Sequence, residues 1–126
     1  MSNLADLATP FPPSYIKTKP GGRGGDYVEH AVITQRLLEV LGPYTFVVER
    51  VICDDPVTVL ARLSVEVDGT AVEIVEVGKS ENQSDPHKSA ASDALKRCAM
   101  RLGCGLHLWA QDHYYLDKSL AKRGDA

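Results

Sequence analysis

The chain has 126 residues, of which 44% are hydrophobic and 25% are charged, and its formal net charge is −3. This length and composition predict one soluble globular domain with a single core. No apolar run approaches the roughly 18 residues that span a bilayer, and the odd number of three cysteines does not suit a disulfide framework. The negative total by itself speaks against a nucleic-acid-binding protein.

The charges are unevenly distributed along the chain. Residues 1–25 carry a net charge of +2, residues 26–78 carry −7, and residues 79–126 carry +2. Because an electrostatic field depends on where charges lie, a basic surface can exist on a protein whose total charge is negative. The two basic flanks are therefore where anion-binding side chains are expected.

The N-terminal segment of residues 1–13 is predicted to be a flexible arm. It contains three prolines, which interrupt regular structure, and few of its side chains could form a core face. The domain proper is expected at 14–120, and residues 121–126 are expected to form a short C-terminal tail. No internal repeat or low-complexity tract divides the chain further.

A glycine-rich basic loop follows the arm. Between Lys17 and Asp26 it has four glycines, whose backbone can approach a ligand closely or adopt positive φ. Its candidate anion-binding residues are Lys17, Lys19 and Arg23. Tyr15 and Tyr27 flank the loop and either stack against unpaired bases or pack in the core.

Asp26 is predicted to cap a helix from Tyr27 to Leu41, which Gly42 ends. Apolar residues lie on two sides of this helix. One stripe comprises Val28, Ala31, Val32 and Leu38, and the other comprises Ile33, Leu37, Val40 and Leu41. Since a helix that is apolar on two sides needs two packing partners, the second stripe packs either within the chain or against another subunit.

Three β-strands are predicted after this helix. Their expected ranges are 44–53, 57–67 and 70–77. The middle strand alternates apolar and polar residues along its length, and Asp68-Gly69 is a preferred pair for a two-residue hairpin turn. The pattern therefore predicts an antiparallel meander with one covered face.

A polar linker at 78–84 is expected to lead into a long helix from Asp85-Pro86 to about Gly105. The apolar residues at helical spacing, which should face the sheet, are Ala91, Leu95, Cys98 and Leu102. A short final helix is expected within 109–120. The order α-β-β-β-α indicates an α+β fold, in which a three-stranded antiparallel β-meander packs against the long helix.

The exposed side of the long helix supplies the second group of basic candidates. These are Lys88, Lys96, Arg97 and Arg101, with Asp93 as the one acid among residues 88–101. Asp93 and Arg97 stand at i and i+4, so this face is either an ordinary salt-bridged surface or a set of phosphate contacts.

Other chemistry has little support in the sequence. Gly78-Lys79-Ser80 resembles the end of a phosphate-binding loop, but the glycine required five positions earlier is Glu73. The combinations weighed as a metal or acid–base site are Cys98, Cys104 and His107 with Cys53 or His113, the pair Asp112-His113, and the pair Asp54-Asp55. None has the spacing of a known metal or catalytic motif, so we predict no catalytic residue, no metal ligand and no enzyme activity.

Two segments resemble single-strand annealing proteins of the Rad52/Rad22 type. Residues 14–19 (Ser-Tyr-Ile-Lys-Thr-Lys), a Gly-Gly pair and residues 27–33 resemble the start of that annealing domain. Residues 90–97 (Ala-Ala-Ser-Asp-Ala-Leu-Lys-Arg), followed by Gly103, resemble its basic helix. The resemblance covers about residues 14–120 in the same order, with the meander between the two segments.

This resemblance implies a protein that binds and anneals single-stranded DNA in homologous recombination or double-strand break repair. It implies a homo-oligomeric ring or helical filament with a basic groove, no cofactor, and a cytoplasmic location in a bacterium or phage-infected host cell. A single-strand binding protein or an exonuclease is a candidate partner, and no membrane is involved. Lys19, Lys96 and Arg97 match basic residues through which the family contacts DNA. Arg101 is displaced by one position, because Met100 stands where many members have a basic residue.

The full set of predicted DNA-binding residues is Lys17, Lys19, Arg23, Lys88, Lys96, Arg97 and Arg101. A monomeric double-stranded RNA-binding module is the main alternative, because a meander followed by a basic helix is also the order of that fold. A small nuclease or hydrolase is the other alternative. The two apolar stripes of the first helix and the glycine-rich basic loop favour the annealing protein.

Overall fold

The computed structural model describes residues 2–18, 26–81 and 84–124. The helices are α1 (Asn3–Ala8), α2 (His30–Leu41), α3 (Pro86–Met100), α4 (Leu106–Ala110) and α5 (Leu116–Lys122). The strands are β1 (Lys17–Thr18), β2 (Asp26–Tyr27), β3 (Thr45–Ile52), β4 (Val57–Val67) and β5 (Thr70–Ser80). Over these residues the fold is α+β, as the sequence predicts.

The central element is an antiparallel sheet of order β3-β4-β5. The alternation in β4 has the predicted result, because Val59, Ala61 and Leu63 are buried while the residues between them are half-buried. Asp68 and Gly69 both have positive φ and close the β4–β5 hairpin, as their preference for such turns predicts. A register shift between Val48 and Arg50 interrupts the β3–β4 pairing.

Strand β5 runs three residues further than the sequence predicts, so the expected linker at 78–84 begins only after Ser80. Gly78 makes this extension compatible with α3. A Cβ atom on Gly78 would lie 2.2 Å from the carbonyl oxygen of Ala90 and 2.4 Å from the backbone nitrogen of Ala94. The glycine therefore stands inside a strand because α3 crosses the sheet there at close range.

Helix α3 covers the inner face of the sheet. Leu95, Cys98 and Leu102 are buried as predicted, whereas Ala91 is only half-buried and Ala90 and Ala94 are buried instead. The helix ends at Met100, earlier than the predicted Gly105. Gly103 and Gly105 both have positive φ, and this backbone conformation separates α3 from α4.

The prediction that residues 1–13 are a flexible arm with little to offer the core is wrong. Residues Asn3–Ala8 form a helix whose N-cap, Ser2, accepts a hydrogen bond from the backbone N–H of Ala5 at 3.0 Å. Leu7 is fully buried and Phe11 is 5% exposed. The prolines follow this helix instead of interrupting it, which is why they do not prevent it.

Helix α2 begins later than predicted, at His30, because Asp26 and Tyr27 pair with Thr18 and Lys17 in a small antiparallel ladder. Asp26 therefore does not cap the helix. Gly42 ends the helix with positive φ, as expected. Helix α2 packs against α1 and α3, which cover the stripe of Ile33 and Leu37, while Ala31 and Leu38 of the other stripe are exposed.

Candidate nucleic-acid interface

An open groove runs beside the N-terminal half of α3 and brings two of the predicted basic residues together. The groove encloses ≈ 470 Å³ and is lined by His30, Ser84, Asp85, Lys88, Ser89, Ser92, Asp93 and Lys96. Lys88 is exposed and Lys96 is half-buried. Its two lysines and three serines can donate hydrogen bonds to phosphate oxygens, and the carboxylates of Asp85 and Asp93 belong to the same lining.

A smaller cavity adjoins the groove at Lys96 and Asp93, which line both spaces. It encloses ≈ 150 Å³ and is lined by Asp26, Tyr27, Val28, Ile33, Asp93, Lys96, Cys104, Gly105, Leu108 and Trp109. The ammonium group of Lys96 lies 5.3 Å from the centroid of the Tyr27 ring. Lys96 therefore stands at the junction of a polar channel and a partly aromatic cavity.

Arg97 is held by two neighbours on the same side of the helix. Its Nε donates to Asp93 Oδ2 at 3.0 Å, and its guanidinium carbon lies 4.9 Å from the centroid of the Trp109 ring. The backbone N–H of Lys79 donates to the same Asp93 oxygen at 3.0 Å. Asp93 thus ties α3 to β5 and orients Arg97, so the i,i+4 pair expected from the sequence is present.

Lys17 lies on the same side of the molecule as Lys96. Its ammonium group forms an ion pair with Glu29, the residue before α2. The hydrogen bond from Lys17 lowers the pKa of the Glu29 carboxyl group, and the charges of Lys17, His30 and Lys96 lower it further. Lys17, His30 and Lys96 therefore all act electrostatically on one carboxylate. Lys19 and Arg23, the other two candidates of the glycine-rich loop, lie outside the described residues.

Arg101 has a structural partner. Its Nε donates to Glu76 Oε2 at 2.6 Å, and this hydrogen bond is the main cause that lowers the pKa of Glu76. Glu76 lies on the inner face of the sheet, opposite Ala61 in the pairing of β4 with β5. The ion pair therefore joins the C-terminal end of α3 to the sheet.

The cysteines and histidines weighed in the sequence do not form a metal centre in the described part of the chain, where no group of three or more His, Cys, Asp or Glu side chains is placed to hold an ion. Burial raises the pKa of Cys98 to about 11 and that of Cys104 to about 12, so both thiols stay protonated. His107 Nε2 accepts a hydrogen bond from the backbone N–H of Phe11 at 3.1 Å. Asp112 and His113 are both exposed.

Sequence reasoning missed the serines of the groove and the aromatic side of the cavity. Asp85, Ser89, Ser92 and Lys96 recur at intervals of four, three and four residues, which is the spacing of one helix face, so this stripe could have been found. Trp109 has no such signal, because it reaches the cavity only through the turn between α3 and α4.

The groove combines two lysines and three serines with two aspartates, and it lies next to a cavity with two aromatic rings. Lysines beside aromatic rings are a combination found in proteins that bind nucleic acid. The sequence pattern of the Rad52/22 family of double-strand break repair proteins matches residues 2–125. The chain belongs to this family. The resemblance found in residues 14–33 and 90–103 is therefore confirmed.

A similar protein is the single-stranded DNA-binding protein DdrA of Deinococcus radiodurans. It is 30% identical to the chain over 128 residues, an alignment that covers 94% of this chain and 60% of the relative. The chain thus spans about 60% of the length of that protein. Among the described residues, no helix has the length and apolar character to cross a membrane.

Proposed function

We propose that this protein binds single-stranded DNA and anneals complementary strands during double-strand break repair, as a homo-oligomeric ring or filament. The observation that carries the proposal is the position of Lys96, at the junction of the α3 groove and the aromatic cavity, in a chain of the Rad52/22 family. The single-stranded DNA-binding activity named for the relative supports the same proposal.

In this proposal the groove holds the phosphate backbone. Lys88 and Lys96 contact phosphates, and the hydroxyl groups of Ser89 and Ser92 donate hydrogen bonds to them. Contacts of this kind are independent of base sequence and weaken as the salt concentration rises. Most base edges then remain open to a second strand, which pairs by Watson–Crick geometry. No covalent bond is broken, so annealing of this kind requires neither a nucleotide nor a metal cofactor.

The remaining candidates have secondary roles in the proposal. Lys19 and Arg23 are retained through the family resemblance, and Lys17 extends the basic surface towards Glu29. Arg97 contributes a positive charge at a fixed position, because Asp93 and Trp109 hold its guanidinium group. We place Arg101 outside the phosphate contacts, since Glu76 neutralises it.

Oligomerisation multiplies these modest contacts. A strand that follows the grooves of several subunits binds each successive groove as an intramolecular event, which raises the overall affinity without a new kind of contact. The open face of the sheet offers a surface for a second copy, because Ile52, Val75 and Val77 are 42%, 54% and 41% exposed there.

Replacement of Lys96 by alanine tests the proposed site. We expect Lys96→Ala to weaken the binding of single-stranded oligonucleotides of every sequence and to lower the slope of log affinity against log salt by about 0.7 for each lost phosphate contact. We also expect slower annealing of two complementary dye-labelled strands. Binding is measured by fluorescence anisotropy over a range of salt concentrations.

Two matched variants control this experiment. Lys96→Arg keeps the positive charge and should retain most of the affinity, whereas Lys118→Ala removes an exposed lysine of α5, an element packed against α1. An affinity and salt slope in Lys96→Ala that equal those of Lys118→Ala would refute the proposed site.

A further inference from the structure

The cavity beside Lys96 has the size and lining of a site for one small ring. Its volume of ≈ 150 Å³ matches that of cavities of about 150 Å³ that accept a single benzene ring. Val28, Ile33 and Leu108 supply an apolar floor, while the carboxylates of Asp26 and Asp93 also line the space. Carboxylate oxygens accept hydrogen bonds from the N–H groups of nucleobases.

Trp109 lines this cavity, and its ring is held by Arg97, which does not. The residue is 45% exposed, although tryptophan is usually mostly buried. Arg97, which does not line the cavity, lies against the ring at 4.9 Å and is itself bound to Asp93. Because this contact restrains the indole before any ligand arrives, a planar ligand that stacks on it loses less freedom on binding.

Lys96 connects this cavity to the groove. Lys96 lines both spaces, and its ammonium group lies over the Tyr27 ring. A phosphate that Lys96 holds in the groove therefore places the nucleotide attached to it at the mouth of the cavity. The distance from a phosphate to its own base is bridged by one sugar, so the two spaces suit adjacent parts of the same nucleotide.

We infer that the cavity binds one unpaired nucleobase of the strand held in the groove, stacked on Trp109. This inference rests on the proposed function and adds to it a site for a base. A paired base is stacked within its duplex and cannot enter without being unpaired, so the cavity favours single-stranded over double-stranded DNA. One base of the bound segment is withheld from pairing while its neighbours stay open to the complementary strand.

Trp109 is the one tryptophan of the chain, so its intrinsic fluorescence reports on this cavity alone. The probes are a single-stranded oligothymidylate and an oligonucleotide of the same length and phosphate number in which every site is abasic. Dye-labelled copies of both give the affinity by anisotropy, independently of the tryptophan. We expect the oligothymidylate to quench Trp109 fluorescence at saturation and the abasic strand to leave it nearly unchanged.

Variants at Trp109 complete the test. Trp109→Ala should weaken the binding of oligothymidylate by roughly 5- to 150-fold, the range found when one stacked base loses its aromatic partner, and should bind the abasic strand as the unsubstituted protein does. Trp109→Phe should retain most of the affinity, because phenylalanine still stacks. Tyr115→Ala is the matched control, since Tyr115 is an aromatic residue that is 69% exposed and does not line the cavity.

The outcomes separate the two proposals. Anisotropy that shows no binding of either strand would overturn the proposed function and this inference together. Tight binding of oligothymidylate without quenching, or equal quenching by the abasic strand, would overturn the base site and leave DNA binding intact. An equal loss of affinity for both strands in Trp109→Ala would mean that the ring only supports the fold around Arg97, and would also overturn it.

Discussion

At the residue scale, four of the described basic residues differ in their neighbours. Lys17 is paired with Glu29, Arg97 with Asp93, and Arg101 with Glu76. Lys96 lies over Tyr27 and lines the groove. Basic residues that look equivalent in the sequence therefore have different roles, because a neighbouring carboxylate decides how much of each positive charge is offered to a ligand.

The Arg101–Glu76 pair predicts a pH dependence of stability. The hydrogen bond from Arg101 lowers the pKa of Glu76 below its ordinary value of 4.5. A lowered carboxyl pKa stabilises the folded protein above that ordinary value, and this contribution is lost as the pH falls through the pKa of the folded state. Arg101→Ala should therefore lower the free energy of unfolding at neutral pH, by up to about 1 kcal/mol, because the Arg101 side chain is 61% exposed and solvent screens the pair.

Urea unfolding of both proteins at neutral pH and well below pH 4.5 measures this effect. The difference between Arg101→Ala and the unsubstituted protein should shrink in acid, where Glu76 is protonated in both. Arg50→Ala, which removes an exposed arginine of β3, should show no such change with pH. A difference that stays constant across the pH range would contradict the assigned role of the pair.

At the element scale, the contact between β5 and α3 determines where the groove lies. Strand β5 continues to Ser80 under the helix, and Gly78 leaves the space in which the backbone of α3 sits. The backbone N–H of Lys79 then bonds to Asp93, which fixes the rotation of α3 about its axis. This rotation turns Ser89, Ser92 and Lys96 towards the groove.

Gly78→Ala should disrupt this contact. The added Cβ would meet backbone atoms of α3 at 2.2 and 2.4 Å, so the helix must move away, at a cost of about 3 kcal/mol in the free energy of unfolding. Gly124→Ala is the control, because Gly124, just after the C-cap of α5, also has positive φ and has nothing within 4 Å of its Cβ position; it should cost only about 1 kcal/mol. Chemical denaturation of the two variants gives the comparison, and equal losses would argue against the close packing of α3 on β5.

At the scale of the whole molecule, the two faces of the sheet differ in their cover. Helix α3 packs on the inner face. On the outer face, Arg62 of β4 forms ion pairs with Glu49 at 2.9 Å and with Glu73 at 3.0 Å, while Val75 and Val77 remain exposed. This mixed apolar and charged surface is the one that the proposed ring or filament would bury.

Val75→Asp combined with Val77→Asp tests that assembly. We expect the molar mass measured by light scattering to fall from that of an oligomer to that of a monomer, because burial of two added charges opposes association. The fold should persist, since both positions are on the surface and such changes usually cost little stability. Val48→Asp is the control, as Val48 is 40% exposed but pairs with Ala61 on the opposite face. A monomer before substitution, or an unchanged oligomer after it, would refute this interface.

The wrong prediction for residues 1–13 and the missing cover of one apolar side of α2 have one physical cause. The sequence shows a helix that is apolar on two sides but does not show what covers the second side. The structure supplies α1, whose buried Leu7 belongs to the same core as Ile33 and Leu37 of α2. Arg36 of α2 also donates to the carbonyl oxygen of Thr9 at 2.7 Å. A short helix followed by prolines has a weak local pattern, and only these long-range contacts make it stable.

The sequence by itself determined the α+β class, the meander with its Asp68-Gly69 turn, the buried side of α3 and the family, because these depend on local periodicity, turn chemistry and motif order. Only the tertiary structure decided how α1 covers α2, which charges are paired, and that Tyr27, Lys96 and Trp109 meet around one cavity. These residues are far apart in the chain, and their meeting depends on packing between elements that no local pattern encodes. The sequence therefore predicts a basic helix, and the fold makes part of that helix a groove beside an aromatic cavity.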